Sequence, residues 1–559
     1  KLGFNLKIAG PGPGEKYIKP GVEYVGPVAE EEKAKLISNA KGLFSMSLYP
    51  EPFGYIVIES LMSGTPVITT NHGAFPETVK EGRTGFRGIF FNDYIQAIQN
   101  IDTISRKECR QYALDHFSLK AQYKKYYKFF DKVLKSHTGG WYYTEDTPKI
   151  ETVVPEVVSS KPKLKIHMVA APHMNIKLNR KMATCAYSTK IYLFCKKLVE
   201  EGHEVVHYGV EGNDCPCTEN VPYVSLDAWE KSHGKRADTT YHDFGMHLSS
   251  YQEGSSKILE EVNSRFKNNG NEVILTTFGQ WSPQIKQLPQ PAIEWGIGYD
   301  WAWSKYKVFE SYAWQHIQYR GLGENYDIVG NKWYDAVIPG YVDKDQFTFN
   351  KNKENYLLFL GRIMNTKGIS MALDLAKVYK TPIIFAGNGD VDFIKDQAKQ
   401  YPDLISYFGV ANMEDKRKLY ANAKATLCMT QYVEPFGNVH IESLMSGTPV
   451  IATDWGVYTE TVPHGLVGFR GRTFEDHCNA FEQLDTINPQ TCRDWAVSNF
   501  SLEAVYPQFI DYFYKCAAIE QNTDGPQYYT SIRDERPNYV NRFTDYWANY
   551  LKYIKKEYK

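Results

Sequence analysis

The sequence predicts an α/β fold of doubly wound parallel sheets, and three observations carry that prediction. Short apolar runs ending at glycine alternate with stretches of helical period over most of the chain, the pattern of strands covered by helices on both faces. One such block occurs twice, in places letter for letter, 383 residues apart (Ile58 against Ile441). The composition, 43% apolar and 23% charged, supplies ample core material and excludes disorder over most of the chain. At about 150 residues per domain, the 559-residue length corresponds to roughly three to four domains.

Taken in order, Leu6–Ala9 is the first strand, and the block it opens runs to about residue 136. Residues 137–163, rich in Pro, Thr, Ser and Glu and without helical period, read as a linker. A fresh α/β pattern occupies 164–343, with strands at Leu164–Ala170, Glu204–Tyr208, Glu272–Thr276, Pro291–Gly296 and Ala336–Ile338 and a helical stretch from Ala183 to Glu201. Residues 344–516 form the next domain. Its strands are Tyr356–Gly361, Pro382–Ala386, Leu404–Phe408, Ala425–Met429 and Thr448–Ala452, and its helices include Ile369–Tyr379, Met413–Asn422 and Val439–Ser446. The aromatic and basic end, 517–559, reads as a helical segment crossing back to the 164–343 domain.

The repeat extends well beyond one motif. At the same offset Glu51-Pro52-Phe53-Gly54 falls on Glu434-Pro435-Phe436-Gly437, Gly85–Gly88 on Gly468–Gly471, and Phe117–Leu119 on Phe500–Leu502. The first copy has no counterpart of Tyr356–Gly361. In a doubly wound sheet that first strand is central, and its absence leaves ladder groups unpaired. The expectation is that further sequence precedes Lys1.

Two segments carry the chemistry. Gly361-Arg362-Ile363-Met364-Asn365-Thr366-Lys367-Gly368 lies between a strand and a helix, at the sheet edge where α/β proteins hold ligands on helix N-termini. Its two cations suit a diphosphate and its departure as a leaving group. In Glu434-Pro435-Phe436-Gly437-Asn438-Val439-His440-Ile441-Glu442, one carboxylate sits in the loop and one in the helix. Asn438 is the expected N-cap, and paired carboxylates accept hydrogen bonds from vicinal hydroxyls of a sugar or ribose.

With Ser446–Ile451 following, these segments resemble the GT-B glycosyltransferases of family 4, which combine a Gly-Arg-x4-Lys-Gly loop, an E-P-F-G-x4-E element and an S-G-T-P-V-I strand. Ile338-Pro339-Gly340-Tyr341-Val342-Asp343 resembles that family's inter-domain stretch. The resemblance implies two Rossmann-like domains facing a cleft, preceded by a partial third. It implies retaining, metal-independent transfer of a sugar from a nucleotide-diphosphate sugar to a glycan or other hydroxyl acceptor. Arg362 and Lys367 would hold the diphosphate, Glu434 the donor sugar and Glu442 the ribose, with Phe436, Gly437, Asn438, Gly361 and Gly387 completing the donor site. Glu51, Gly54 and Glu59 are the copy-one equivalents. The chain departs from the family at Ala170–Asn175, in place of a Gly-Gly loop, and at Trp295–Asp300, in place of a histidine. His173, Glu294 and Asp300 are therefore candidate cleft residues without an assigned role. A sugar-nucleotide epimerase of the same fold is the rival enzyme, and a non-catalytic nucleotide-sugar-binding or scaffolding module is the rival for copy one.

No metal or other cofactor is expected. Asp343-Lys344-Asp345 and Asp390-Val391-Asp392 fit an Asp-x-Asp metal triplet but lack its strand context. With 64 basic and 65 acidic residues and a net charge of -1, the chain has no basic excess for nucleic acid, and membrane association is at most peripheral. Nine cysteines, scattered except for Cys215-Pro216-Cys217, are no disulfide framework and point to a reducing, cytoplasmic compartment. Oligomeric state is not legible.

Overall fold

A computed structural model describes residues 4–10, 18–47, 51–123, 125–127, 162–177, 186–234, 244–321 and 335–521. The expected linker 137–163 and the tail beyond 521 fall almost wholly outside the described residues. The chain divides into two compact units, Lys1–Phe130 and Asp131–Lys559.

The larger unit holds two parallel sheets. The first contains β6 (Lys165–Val169), β7 (Glu204–Val210), β8 (Glu219–Val224), β9 (Glu272–Thr276), β10 (Ala292–Ile297), β11 (Tyr306–Phe309) and β12 (Ala336–Val337), ordered β12-β11-β10-β9-β6-β7-β8. The second contains β13 (Leu357–Leu360), β14 (Ile383–Ala386), β15 (Ile405–Gly409), β16 (Ala425–Cys428), β17 (Val450–Thr453) and β18 (Gly468–Gly471), ordered β15-β14-β13-β16-β17-β18. In both, the chain winds outward from a central first strand, returns, and winds out the other way. This doubly wound order puts a topological switch point, and so a ligand crevice, beside β6/β9 and β13/β16. The expected two-domain GT-B architecture is present in this unit.

The strands read as continuous apolar runs because both faces are covered: Leu357, Leu358, Val450, Ile451 and Ala452 are all fully buried. Three strands of this unit escaped the sequence reading, and one of them, β18, is a short edge strand with glycine at both ends. β8 carries Pro222 and sits at a sheet edge, where a missing N–H is tolerated. β11 (Tyr-Lys-Val-Phe) is short and interrupted by a lysine.

The helix that returns to the first domain is Leu502–Glu520, so the expected boundary after residue 516 cuts through it. Ser501 starts it by accepting a hydrogen bond from the Ala504 N–H. Phe509 packs on Phe194 (5.3 Å between ring centroids), Trp295 (5.6 Å) and Tyr341 (6.2 Å) of the first domain. Glu520 closes the far end, pairing with Lys305 and accepting from the Tyr306 hydroxyl at 2.6 Å. The helix is therefore a clasp between the two domains rather than an appendage.

In the N-terminal unit, β1 (Leu6–Ala9) and β2 (Val22–Gly26) form one parallel pair, and β3 (Leu43–Ser45), β4 (Val67–Thr70) and β5 (Gly85–Gly88) a separate parallel sheet. These correspond to β14-β15 and β16-β17-β18; among the described residues there is no counterpart of the central β13 that joins them in the larger unit. Shared local contacts accompany the shared letters. The Tyr24 hydroxyl donates to the Gly10 carbonyl as Tyr407 does to Gly387, and Ser60 to Thr65 as Ser443 does to Thr448.

Candidate active site

β13 ends at Leu360, and the loop that Gly361 opens is held backbone to backbone against the loop after β14. Ile363 N–H donates to the Asn388 carbonyl at 2.7 Å. A Cβ at Gly387 (φ 141°) would collide with the Gly361 carbonyl, and one at Gly368 (φ 81°) with the Met429 carbonyl. Only glycine permits this packing, and it fixes where Lys367 sits at the start of the helix Ile369–Tyr379.

Lys367 Nζ forms an ion pair with Glu434 and lies 4.8 Å from the Tyr432 ring. Burial opposes the lysine's charge, but Glu434, with Tyr432, outweighs it and raises the pKa. Glu434 reaches this position because Gly437, at φ 70°, has no side chain. A Cβ there would lie 2.9 Å from Glu434 Cγ. The Val457 N–H anchors the Glu434 carbonyl at 3.3 Å. Gly437, rather than the expected Asn438, is the N-cap of the helix Asn438–Met445. Asn438 lies one position further and lines the cavity instead.

One turn into that helix Glu442 is 7% exposed. It accepts from the Tyr420 hydroxyl at 2.8 Å and pairs with Lys416 Nζ at 3.5 Å. Burial, then the carboxylate beside it, pushes the Tyr420 hydroxyl pKa well up, so it stays a donor.

Both carboxylates open into one cavity of about 370 Å³ at the carboxyl edges of the two sheets. Gly361, Lys416, Phe436 and Asn438 line it from the second domain; Tyr187, Lys190, Gly298 and Glu310 line it from the first. Lys190 and Glu310 form a buried ion pair, with Lys190 Nζ over the rings of Tyr187 (5.5 Å) and Phe436 (5.6 Å). Direct bonds tie the domains at this level. Ser311 Oγ donates to the Pro435 carbonyl at 2.6 Å, and Glu460 accepts from the Tyr312 and Ala313 N–H groups at 2.9 and 2.8 Å. Glu460 thus satisfies the N-terminus of a helix in the opposite domain.

Arg362, Lys367 and Gly387 stand outside the wall of this cavity. So do the three unassigned candidates. His173 is buried against Tyr251, its Nδ1 2.6 Å from that hydroxyl. Glu294 is fully buried and accepts from the Tyr299 hydroxyl (3.0 Å) and the N–H groups of Trp303 (2.8 Å) and Ser304 (3.1 Å). Its pKa is raised by burial. Asp300 accepts from Gln318 at 2.8 Å.

Sequence reasoning missed Lys416, Tyr420, Lys190, Glu310, Ser311 and Glu460. One signal was available for Lys416: at the repeat offset it matches Lys33, which pairs with Glu59 at 3.0 Å. In copy one Glu51 accepts from Ser47 at 3.1 Å, as Glu434 meets Thr430 at 3.5 Å. A Cβ at Gly54 (φ 76°) would lie 2.8 Å from the Phe75 ring. Copy one departs at Ile37, where copy two has Tyr420, and at Tyr55, where it has Asn438.

Two parallel-sheet domains with a carboxylate pair and flanking lysines at their shared cleft define a class, the GT-B-type α/β proteins. Within it, the family model described as Glycosyl transferases group 1 matches residues 5–114 and 342–487. Phosphatidyl-myo-inositol mannosyltransferase of Mycobacterium tuberculosis is 30% identical over 147 residues, 24% of this chain and 39% of that protein. Alpha-1,3/1,6-mannosyltransferase ALG2 of Dictyostelium discoideum is 28% identical over 163 residues, again 24% and 39%. The chain thus spans about two fifths of the length of these curated relatives. Among solved structures, sucrose-phosphate synthase from Thermosynechococcus elongatus has 14% identity and a TM-score of 0.49, covering 64% of this chain and 100% of that one. AviGT4, a glycosyltransferase involved in avilamycin A biosynthesis, has 19% identity and a TM-score of 0.46, covering 64% and 98%.

Proposed function

We propose that the unit formed by residues 164–521 is a retaining glycosyltransferase that moves a sugar from a nucleotide-diphosphate donor to a hydroxyl of a glycan or similar acceptor in glycoconjugate synthesis. The observation that carries the reading is the convergence of Glu434 and Glu442 on one cavity between the domains, each with a cationic partner. Glu442, fixed by Tyr420 and Lys416, has a free direction for ribose hydroxyls. Glu434 faces the donor sugar, and Lys367 beside it, with Arg362 on the same loop, takes the diphosphate charge. As the anomeric C–O bond to the diphosphate breaks, a C–O bond to the acceptor forms on the same face, and the acceptor's proton passes to the departing phosphate oxygen. Those cations neutralise the leaving group, so the reaction needs no metal. The mannosyltransferases among the relatives are consistent with a hexosyl donor, and the cytoplasm with its free thiols is the proposed site of action.

A donor screen that follows nucleotide release tests the proposal. Glu434→Ala and Arg362→Ala should each lose about 100-fold or more in kcat, the scale of one lost charge-stabilising group. Turnover that persists in both would refute the site, and loss of turnover on adding EDTA would refute metal independence.

For copy one the favoured reading is a non-catalytic nucleotide-sugar-binding module. It keeps Lys33 with Glu59 and Ser47 with Glu51, while Ile37 replaces the tyrosine that fixes Glu442. Glu51→Ala should leave turnover unchanged, and equal loss in Glu51→Ala and Glu434→Ala would refute that reading.

A further inference from the structure

Glu294 and Asp300, which take no part in the cavity above, both hold one loop. It leaves β10 at Ile297 and reaches β11 at Tyr306. Glu294 pins its base from inside through Tyr299, Trp303 and Ser304. Asp300 is tied to Gln318, and the Trp301 carbonyl accepts from the Gln280 N–H at 3.2 Å.

What this clamped loop displays is unusual. Trp301 is 75% exposed, and its backbone has φ 67°. A bulky L-residue in the left-handed region costs on the order of 1–2 kcal/mol. Leaving an indole in water also forgoes the gain of burying it. Among the described residues the Trp301 indole makes no hydrogen bond or ring contact that offsets these costs, so the arrangement points outward, to something the indole meets.

The surroundings define what that is. Trp301 and Trp303 border an open groove of about 410 Å³ whose other walls include Gln280, Gln290, Lys286 and Lys305. It shares no residue with the cavity of Glu434 and Glu442. Among the described residues, the side chains of Gln280 and Lys286 make no hydrogen bond or ion pair. Lys305 is neutralised by Glu520. A hexopyranose matches this set. Its C–H face lies flat on an aromatic ring, and its rim of hydroxyls exchanges hydrogen bonds with side-chain amides, which both donate and accept. The unpaired Lys286 adds a donor and a positive charge that suits an acidic sugar.

We infer that this groove is a glycan-binding site, separate from the catalytic cavity, in which Trp301 stacks on a hexose ring of a saccharide chain and Glu294 acts as a positioning residue for the loop. The site concerns binding alone and stands whether or not the transfer reaction proposed above is correct.

Titration without any nucleotide sugar tests it. Maltohexaose and a galacturonic acid hexamer serve as probes, read by tryptophan fluorescence and by saturation-transfer NMR. The wild-type chain should show a saturable change with at least one of them. Saturation by the acidic hexamer alone would assign the groove to acidic chains, and saturation by both to hexopyranoses in general. Trp301→Gly, whose backbone accepts φ 67° without strain, should keep its melting temperature and bind about 10-fold more weakly or worse, the loss of one aromatic contact. Trp301→Tyr should retain binding within about 3-fold, since a flat ring remains. Absence of a saturable signal from both probes with the wild type, or wild-type affinity in Trp301→Gly, would overturn the inference.

Discussion

Replacing Phe509 by alanine should destabilise the larger unit severely, and the repeat supplies an internal control. Phe509 is 2% exposed and carries the helix onto the first domain: it meets Phe194, Trp295 and Tyr341 there at 5.3–6.2 Å, and Phe513 of its own helix at 6.0 Å. Removing a buried phenyl ring forfeits about 2–3 kcal/mol of transfer free energy, and the cavity left among stiff neighbours brings the total to about 3–5 kcal/mol. At the repeat offset Phe509 corresponds to Tyr126, which is 59% exposed. Tyr126→Ala should therefore stay within about 0.5 kcal/mol of wild type. Urea denaturation followed by far-UV circular dichroism reads both. Opposite outcomes are required: a large fall in midpoint for Phe509→Ala and none for Tyr126→Ala. A shift of less than about 1 kcal/mol for Phe509→Ala, or equal shifts for the two, would refute the clasp.

Other measurements reach the site and the fold. Glu460→Ala and Ser311→Ala remove the hydrogen bonds between the domains and should raise KM roughly 10-fold, at about 1–1.5 kcal/mol per bond, with kcat less affected; unchanged KM in the double variant would show the bonds to be idle. Tyr420→Phe leaves buried Glu442 one donor short and should cost about 1.5–3 kcal/mol of stability, read as a lower urea midpoint. Four buried histidines make stability pH-dependent. Burial lowers His167 and His440 to about 3 and His207 and His477 to about 4. Below the unfolded value near 6.5 the unfolded chain takes up their protons and the folded protein does not. Stability should be intact above about pH 6.5 and fall as pH drops toward 4, by up to about 1.4 kcal/mol per histidine per pH unit. His440→Gln should flatten that slope by about one histidine's share, and an unflattened profile would contradict the assignment.

The second domain was legible because its elements are local. Ile369–Tyr379 and Met413–Asn422 show their period in the letters, and the repeat located the E-P-F-G loop twice. What stayed hidden was set by distance along the chain. Lys190 meets Glu310, and Ser311 meets Pro435, across 120 and 124 residues, and no local pattern marks such partners. Asn438 illustrates a subtler miss. Its type suits a cap, but Gly437 at φ 70° takes the role because Glu434 occupies the space where any side chain at 437 would go.

The described strands of the N-terminal unit form two separate ladders, and this bears on how that unit opens. In the larger unit β13 bonds to both β14 and β16, so six strands share one continuous ladder and exchange their amide protons as a single cooperative block. Among the described residues no strand bridges β1-β2 to β3-β4-β5, and Leu6 and Phe44 are 43% and 41% exposed. Hydrogen exchange should therefore resolve two classes within that unit: slow amides in β4, flanked by strands on both sides, and fast ones in the two-stranded ribbon, which can detach without disturbing the rest.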